Sequence, residues 1–271
     1  MTEISVAESW RLILLSADGT ATPHQAGGFV DLLAKQLRAE VLPLSMGSIE
    51  ESLSERVDKI REGVVSLRGD LVLYPAHPET KRRDKLSEKL LLSCPVPILR
   101  YAHTAAFASK GSPKILFPTD FHYEARKVID RLIPFARRLG ASVTLFHEVP
   151  RPAGSALEVG SAPEAFQVAW DDDREERRKI AERFAGILNA AGIPTSIELN
   201  PPGKVLVHAI WEAASSGGYA FIAVGARSGP IETYFTGLTT RQLFSALSCP
   251  VWAIHERVLK SDESMPGEKV A

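Results

Sequence analysis

The sequence predicts an α/β protein made of two tandem copies of an open parallel sheet covered by helices on both faces. Short apolar runs alternate with amphipathic helical patterns along most of the chain. That order demands right-handed crossovers, and hence parallel neighbours. The halves also share text at both ends: LILLSADG at 12–19 parallels KILFPTDF at 114–121, and SCPVPILR at 93–100 parallels SCPVWAIH at 248–255. An order-preserving match of this kind points to a duplicated domain.

In the first half, Leu12 to Leu15 reads as a strand. Gln25 to Glu40 reads as a helix with Phe29, Leu32, Leu33 and Leu37 on one face. Val41 to Leu44 is the next strand, interrupted by Pro43, and Glu50 to Leu67 a helix with Leu53, Val57, Ile60 and Val64 inward. Leu71 to Tyr74, Lys81 to Leu92 and Val96 to Leu99 follow as strand, helix and strand.

The second half begins with a strand at Ile115 to Phe117 and a helix at Tyr123 to Leu139, kinked by Pro134. Val143 to Phe146 is a strand, and 150–163 an exposed loop without period. Asp173 to Ala190 is a helix with Ile180, Phe184, Ile187 and Leu188 inward. A strand at Thr195 to Leu199, a helix at Val205 to Ala214 and a strand at Phe221 to Val224 come next. A helix at Thr239 to Leu247 and a strand at Val251 to Ile254 close the half.

The 271 residues are 45% apolar and 24% charged, the balance of a globular protein with a sizeable core. A formal net charge of −1 gives no global attraction to nucleic acid or an anionic membrane. No apolar run reaches the roughly 18 residues that span a bilayer, and Glu3 and Glu8 break the pattern of a signal peptide. The expected address is cytoplasmic.

In open parallel sheets, ligands lie beyond the carboxyl ends of the strands near a switch in strand order. Three segments should meet there: Pro118, Thr119 and Asp120; His147 and Glu148; and VGARSGPIETYFTGLTT at 224–240. Backbone amides between Gly225 and Gly229, with a helix start at Thr239 and Thr240, would suit an anion, and Arg227 would add charge.

On these residues the chain resembles the universal stress protein family in its tandem form. The resemblance covers nearly all of both halves, through PTDF at 118–121, LFHEVP at 145–150, VGARSG at 224–229, Gly237 and CPVWAI at 249–254. It implies two Rossmann-like, adenine-nucleotide-binding-like universal stress protein domains. Residues 1–101 form a degenerate copy, 102–113 a linker, 114–257 a copy with a partial nucleotide motif, and 258–271 a flexible tail. In ATP-binding members, the aspartate after the first strand and its neighbours, with the end of the second strand, hold the nucleoside. The resemblance therefore implies Pro118, Thr119, Asp120, Phe121 and Glu148 for that end. A motif of Gly, two residues, Gly, nine residues, Gly and Ser/Thr wraps the phosphates in that family. Its counterparts here are Gly225, Ala226, Arg227, Ser228, Gly237, Leu238, Thr239 and Thr240. Ser228 stands in place of the second Gly, eight residues separate it from Gly237, and Leu238 replaces the hydroxyl. Gly225→Val is expected to abolish binding and leave the fold largely intact.

In the first half, Pro75 and Pro78 delete amides that a phosphate cradle would use, and Asp18 reads as a turn or capping residue. The resemblance further implies that the closing strands of the halves pair antiparallel as an internal pseudo-dimer, with a homodimer as a further assembly. Cys94 and Cys249 would then lie about 20 Å or more apart at strand rise, too far for a disulfide. The seven histidines, at 24, 77, 103, 122, 147, 208 and 255, contain no HExxH or close ligand pair, so no metal centre is expected.

The resulting expectation is a stress-response regulatory module whose C-terminal domain binds ATP or another adenine nucleotide, with Mg2+ accompanying a triphosphate. The alternative is a nucleotide-independent scaffold or protein-interaction module of the same fold. No catalytic residue is assigned; slow ATP hydrolysis would have no base beyond Asp120.

Overall fold

A computed structural model describes residues 9–17, 19–20, 28–48, 50–76, 84–102, 105, 111–121, 123–148, 163–200, 206–226, 242–243 and 249–255. The fold is α/β with mostly parallel strands. The chain divides into two compact units, Met1–Ser109 with Leu243–Ala271, and Lys110–Gln242.

The first unit holds β1 (Trp10–Ser16), α1 (Gly28–Leu37), β2 (Ala39–Ser45), α2 (Leu53–Ser66), β3 (Leu71–Ala76), α3 (Lys85–Ser93) and β4 (Ile98–Ala102). Its strands run in the order β2, β1, β3, β4, all parallel. The fully buried run Leu12–Leu15 sits in the middle, as a strand covered on both faces must. β2 continues through Pro43 instead of breaking there: among the described pairings it meets only β1, and an edge strand tolerates a missing amide.

α1 ends at Leu37 and not at Glu40, because Arg38 turns to φ +50° and Ala39 already opens β2. Val30, rather than the 42% exposed Leu32, completes its buried face. α2 starts later than its periodicity suggests, at a capping box. The Glu55 amide donates to Ser52 Oγ at 3.2 Å, and the Ser52 amide donates to Glu55 Oε2 at 2.8 Å. α3 likewise starts late, with the Ser87 amide donating to the Asp84 side chain at 3.2 Å.

The strand β9 (Val251–His255), the last in sequence, belongs to this first unit. It pairs antiparallel with β4, Ile98 opposite Ala253 and Arg100 opposite Val251, and its Trp252 is buried. Cys94 and Cys249 are both buried, and neither is in a disulfide.

The second unit holds β5 (Lys114–Pro118), α4 (Tyr123–Leu139), β6 (Ser142–Glu148), α5 (Pro163–Ala190), β7 (Thr195–Asn200), α6 (Leu206–Ser216) and β8 (Phe221–Ala226). All four strands are parallel, in the order β8, β5, β6, β7. α4 buries Val128, Ile129, Leu132, Phe135 and Leu139, runs through Pro134, and stops at Gly140 with φ +60°, a conformation that glycine adopts without strain. Phe135 meets Phe221 edge to face at 5.4 Å.

α5 begins ten residues earlier than its periodicity suggests, and its seam is rotated. Ala181, Ala185 and Leu188 are buried, while Ile180, Phe184 and Ile187 are half-buried. Two alanines let the helix backbone approach the sheet, so the bulkier side chains flank the contact. Each unit runs through three βα steps before its last parallel strand, β4 in the first and β8 in the second. The proposed loop at 150–163 and the helix at 239–247 lie outside the described residues, apart from Pro163 in α5 and the helical pair Gln242–Leu243.

Candidate functional site

In the second unit the chain passes from β5 outward through β6 to β7, then returns to place β8 on the other side of β5. The switch in strand order therefore lies between β5 and β8, the place at which open α/β sheets hold ligands beyond the carboxyl ends of their strands. Pro118 ends β5, Gly225 and Ala226 end β8, and His147 and Glu148 end the neighbouring β6. Pro118 and Ala226 are buried in the sheet end, and Asp120 is half-exposed.

The residues after β5 form a tight turn with a fixed shape. The Thr119 amide donates to the Phe146 carbonyl at 2.9 Å, extending the β5–β6 ladder by one bond. The Phe121 amide donates back to Thr119 Oγ1 at 3.0 Å. Phe121 itself has φ +56°, uncommon for a bulky side chain, and its ring is held 5.0 Å from His147 and 5.6 Å from Phe184 of α5. Asp120 sits at the crest of this turn.

His147 closes the turn from below. Only 4% of it is exposed, and its Nδ1 donates to the Thr119 carbonyl at 2.7 Å. A carbonyl only accepts, so Nδ1 carries a hydrogen and the neutral ring keeps Nε2 as an acceptor. Burial holds its pKa below the usual imidazole range; the Thr119 bond opposes that shift, Arg177 adds to it, and Asp120 and Asp173 oppose it. The sequence reading placed His147 beside Glu148 at this strand end but gave a ligand role to Glu148 alone. The available signal was a polar ring interrupting an otherwise apolar strand end.

Gly225 has a structural partner. A Cβ there would lie 2.7 Å from Val128 Cγ2 on α4, so the missing side chain lets helix and strand meet. The expectation that Gly225→Val spares the fold is therefore corrected. Arg227, Ser228, Gly237, Leu238, Thr239 and Thr240 lie outside the described residues, as do His122 and Asp18. Among the described residues, no group of three or more His, Cys, Asp or Glu side chains is placed to hold a metal ion. No described helix is long and apolar enough to cross a membrane.

The corresponding strand ends of the first unit are filled by the chain's own groups. Ser45 Oγ donates to the Ala17 carbonyl at 3.2 Å and accepts from the Gly47 amide at 3.1 Å, while Arg56 Nε donates to the Met46 carbonyl at 2.8 Å. Tyr74, within β3, is hydrogen-bonded to Asp84; burial first and Asp84 second push its hydroxyl pKa far up. Arg100 is buried, its pKa lowered by that burial and supported by Asp84. A groove of about 420 Å3 in this unit, lined by Asp58, Arg61, Glu62, Val65, Ser66 and Pro95, lies along α2 away from those strand ends.

A family profile described as the universal stress protein family matches residues 112–255. No curated protein matches the chain in sequence. Among solved structures, a putative universal stress protein from Pseudomonas aeruginosa UCBPP-PA14 is similar at 16% identity and a TM-score of 0.55, over 95% of this chain and 86% of that one. A universal stress protein from Archaeoglobus fulgidus DSM 4304 is similar at 13% identity and a TM-score of 0.53, over 91% of this chain and 86% of that one. At these identities the likeness is one of fold.

Proposed function

The chain belongs to the universal stress protein family, and from that premise we propose that it is a tandem, cytoplasmic regulatory module whose second unit binds an adenine nucleotide. The observation that carries this reading is the turn at the β5/β8 switch point. Thr119 is locked by three hydrogen bonds, with Asp120 presented at the crevice that open α/β sheets use for ligands. The nucleoside end thus has a rigid polar group in place before any ligand arrives, which limits the ordering cost of binding. Arg227, Ser228, Thr239 and Thr240 are the residues proposed for the phosphates, and Mg2+ would accompany a triphosphate there.

In this reading the first unit retains the fold without the site. Its strand ends are bonded internally, and Asp84 already caps the N-terminus of α3, where an anion would dock. The antiparallel β4–β9 pair supports a tandem protein whose closing strands cover each other.

Mass spectrometry of gently purified, denatured protein should reveal a bound adenine nucleotide. Saturating ATP with Mg2+ should raise Tm, since ligand at about a hundred times Kd adds roughly 2.7 kcal/mol. Asp120→Ala should remove that shift with Tm of the free protein little changed. No nucleotide and no shift would leave the second reading, a nucleotide-independent scaffold. One observation favours that alternative: Gly225 is accounted for by Val128 without any phosphate.

A further inference from the structure

Three groups of the second unit converge on the Thr119 carbonyl and the turn above it. His147 Nδ1 reaches the carbonyl at 2.7 Å, the Phe121 ring covers the imidazole at 5.0 Å, and Phe184 of α5 backs Phe121 at 5.6 Å. The histidine is the only one of these that can change charge. We propose that His147 is a positioning residue for the nucleoside end of the site, and that its protonation weakens adenine-nucleotide binding at acidic pH. This rests on the nucleotide reading above and names a regulation of that same site.

In the neutral ring Nδ1–H is committed to Thr119, and that bond fixes the peptide preceding Asp120. A second proton goes to Nε2, which is itself buried. The charge created there faces Asp120 on the turn and Asp173 and Arg177 of α5; the last two are engaged with each other, Arg177 Nε lying 3.7 Å from Asp173 Oδ1. Arg177 repels the imidazolium, and Asp173 is already shared. Asp120 is thus drawn into compensating a buried charge, away from the ligand it is poised to meet. By linkage the coupling is reciprocal: a ligand that engages Asp120 makes His147 harder to protonate.

Adenosine is the probe of choice, because it has no phosphate that titrates in the same range; ATP with Mg2+ serves as the second. Affinity is measured on the full chain at about pH 7.5 and about pH 4.5, the lower value set well under the unperturbed imidazole range because burial lowers the pKa of His147, for the natural protein, His147→Asn and His147→Phe. Asparagine keeps a donor near the Nδ1 position without a titrating proton, and phenylalanine keeps the ring without a donor. The natural protein should lose on the order of fivefold or more in affinity on acidification, a coupling of the usual allosteric size. His147→Asn should bind as the natural protein does at the higher pH and change little at the lower. His147→Phe should be weak at both. A His147→Asn profile parallel to that of the natural protein, or undiminished binding by His147→Phe, overturns the proposal. If no protein binds either probe, the nucleotide reading fails separately. The positioning role is then judged by unfolding: the natural protein must lose stability relative to His147→Asn on acidification, and parallel curves reject it.

Discussion

Gly225 of β8 and Val128 of α4 meet so closely that a Cβ on the glycine would stand 2.7 Å from Val128 Cγ2. Valine has no long flexible arm to swing aside, so the helix itself must shift. Gly225→Ala should lower stability by about 1–3 kcal/mol, the usual range for overpacking. Val128→Ala alone should also destabilise, but combined with Gly225→Ala the two should cost less than their sum. Urea unfolding of all four proteins completes the double-mutant cycle. Strict additivity would mean that the contact is not the reason for the glycine.

Phe121 tests which of two opposed effects prevails. Its φ of +56° costs about 1–2 kcal/mol for an L residue, and glycine would remove that strain. The same change forfeits a side chain that is only 8% exposed and packs at a tilt against both His147 and Phe184, where truncation of a buried Phe costs about 3–5 kcal/mol. Phe121→Gly should therefore lower Tm, and a rise in Tm would show that strain dominates.

The capping box of α2 gives a third expectation. Ser52→Ala removes the acceptor for the Glu55 amide and should cost about 1 kcal/mol in chemical unfolding. The hydrogen bonds from Ser52 also lower the Glu55 pKa, so the box is complete above the ordinary carboxylate range and is lost as pH falls through it. Ser52→Ala should thus matter less in acid than at neutral pH.

Both cysteines should be silent in the folded protein. Burial pushes the Cys94 thiol up to about 11, and Cys249 is buried as well. Neither should react with a thiol reagent at about pH 8, and both should react after denaturation. An unfolded Cys94 ionises before the folded one, so alkali draws the equilibrium toward unfolding until the folded thiol also titrates near 11. Reaction of the native protein within minutes would contradict this burial.

Where burial on both faces leaves a continuous apolar run, or one strong period survives, the fold is legible in the sequence. Leu12–Leu15 and Phe221–Val224 announce buried parallel strands, and α4 carries its face without interruption from Val128 to Leu139. Boundaries fail where a single backbone angle decides them: nothing in the composition around Arg38 marks the φ of +50° that ends α1. The face of α5 is misread because its seam is built on Ala181 and Ala185, whose small side chains carry little periodic signal. At the candidate site, the Thr119–Asp120–Phe121 turn is visible from its place after a strand. The role of His147 is a tertiary fact, a bond across 28 residues that no local pattern encodes. Gly225 has the opposite problem: the spacing suggests a ligand, and the reason lies in a helix nearly a hundred residues earlier.

The pairing of β4 with β9 sets a schedule for synthesis. Strands β1 to β4 emerge from the ribosome first, yet one flank of β4 gains its partner only after Val251–His255 has been made. Through all the intervening translation the growing chain carries an unpaired, apolar strand flank, which is the kind of surface that recruits other nascent chains. The second unit holds its four parallel strands within Lys110–Gln242 and can fold as it emerges. The half made first is therefore the half finished last, and a ribosome that stalls before β9 leaves it incomplete.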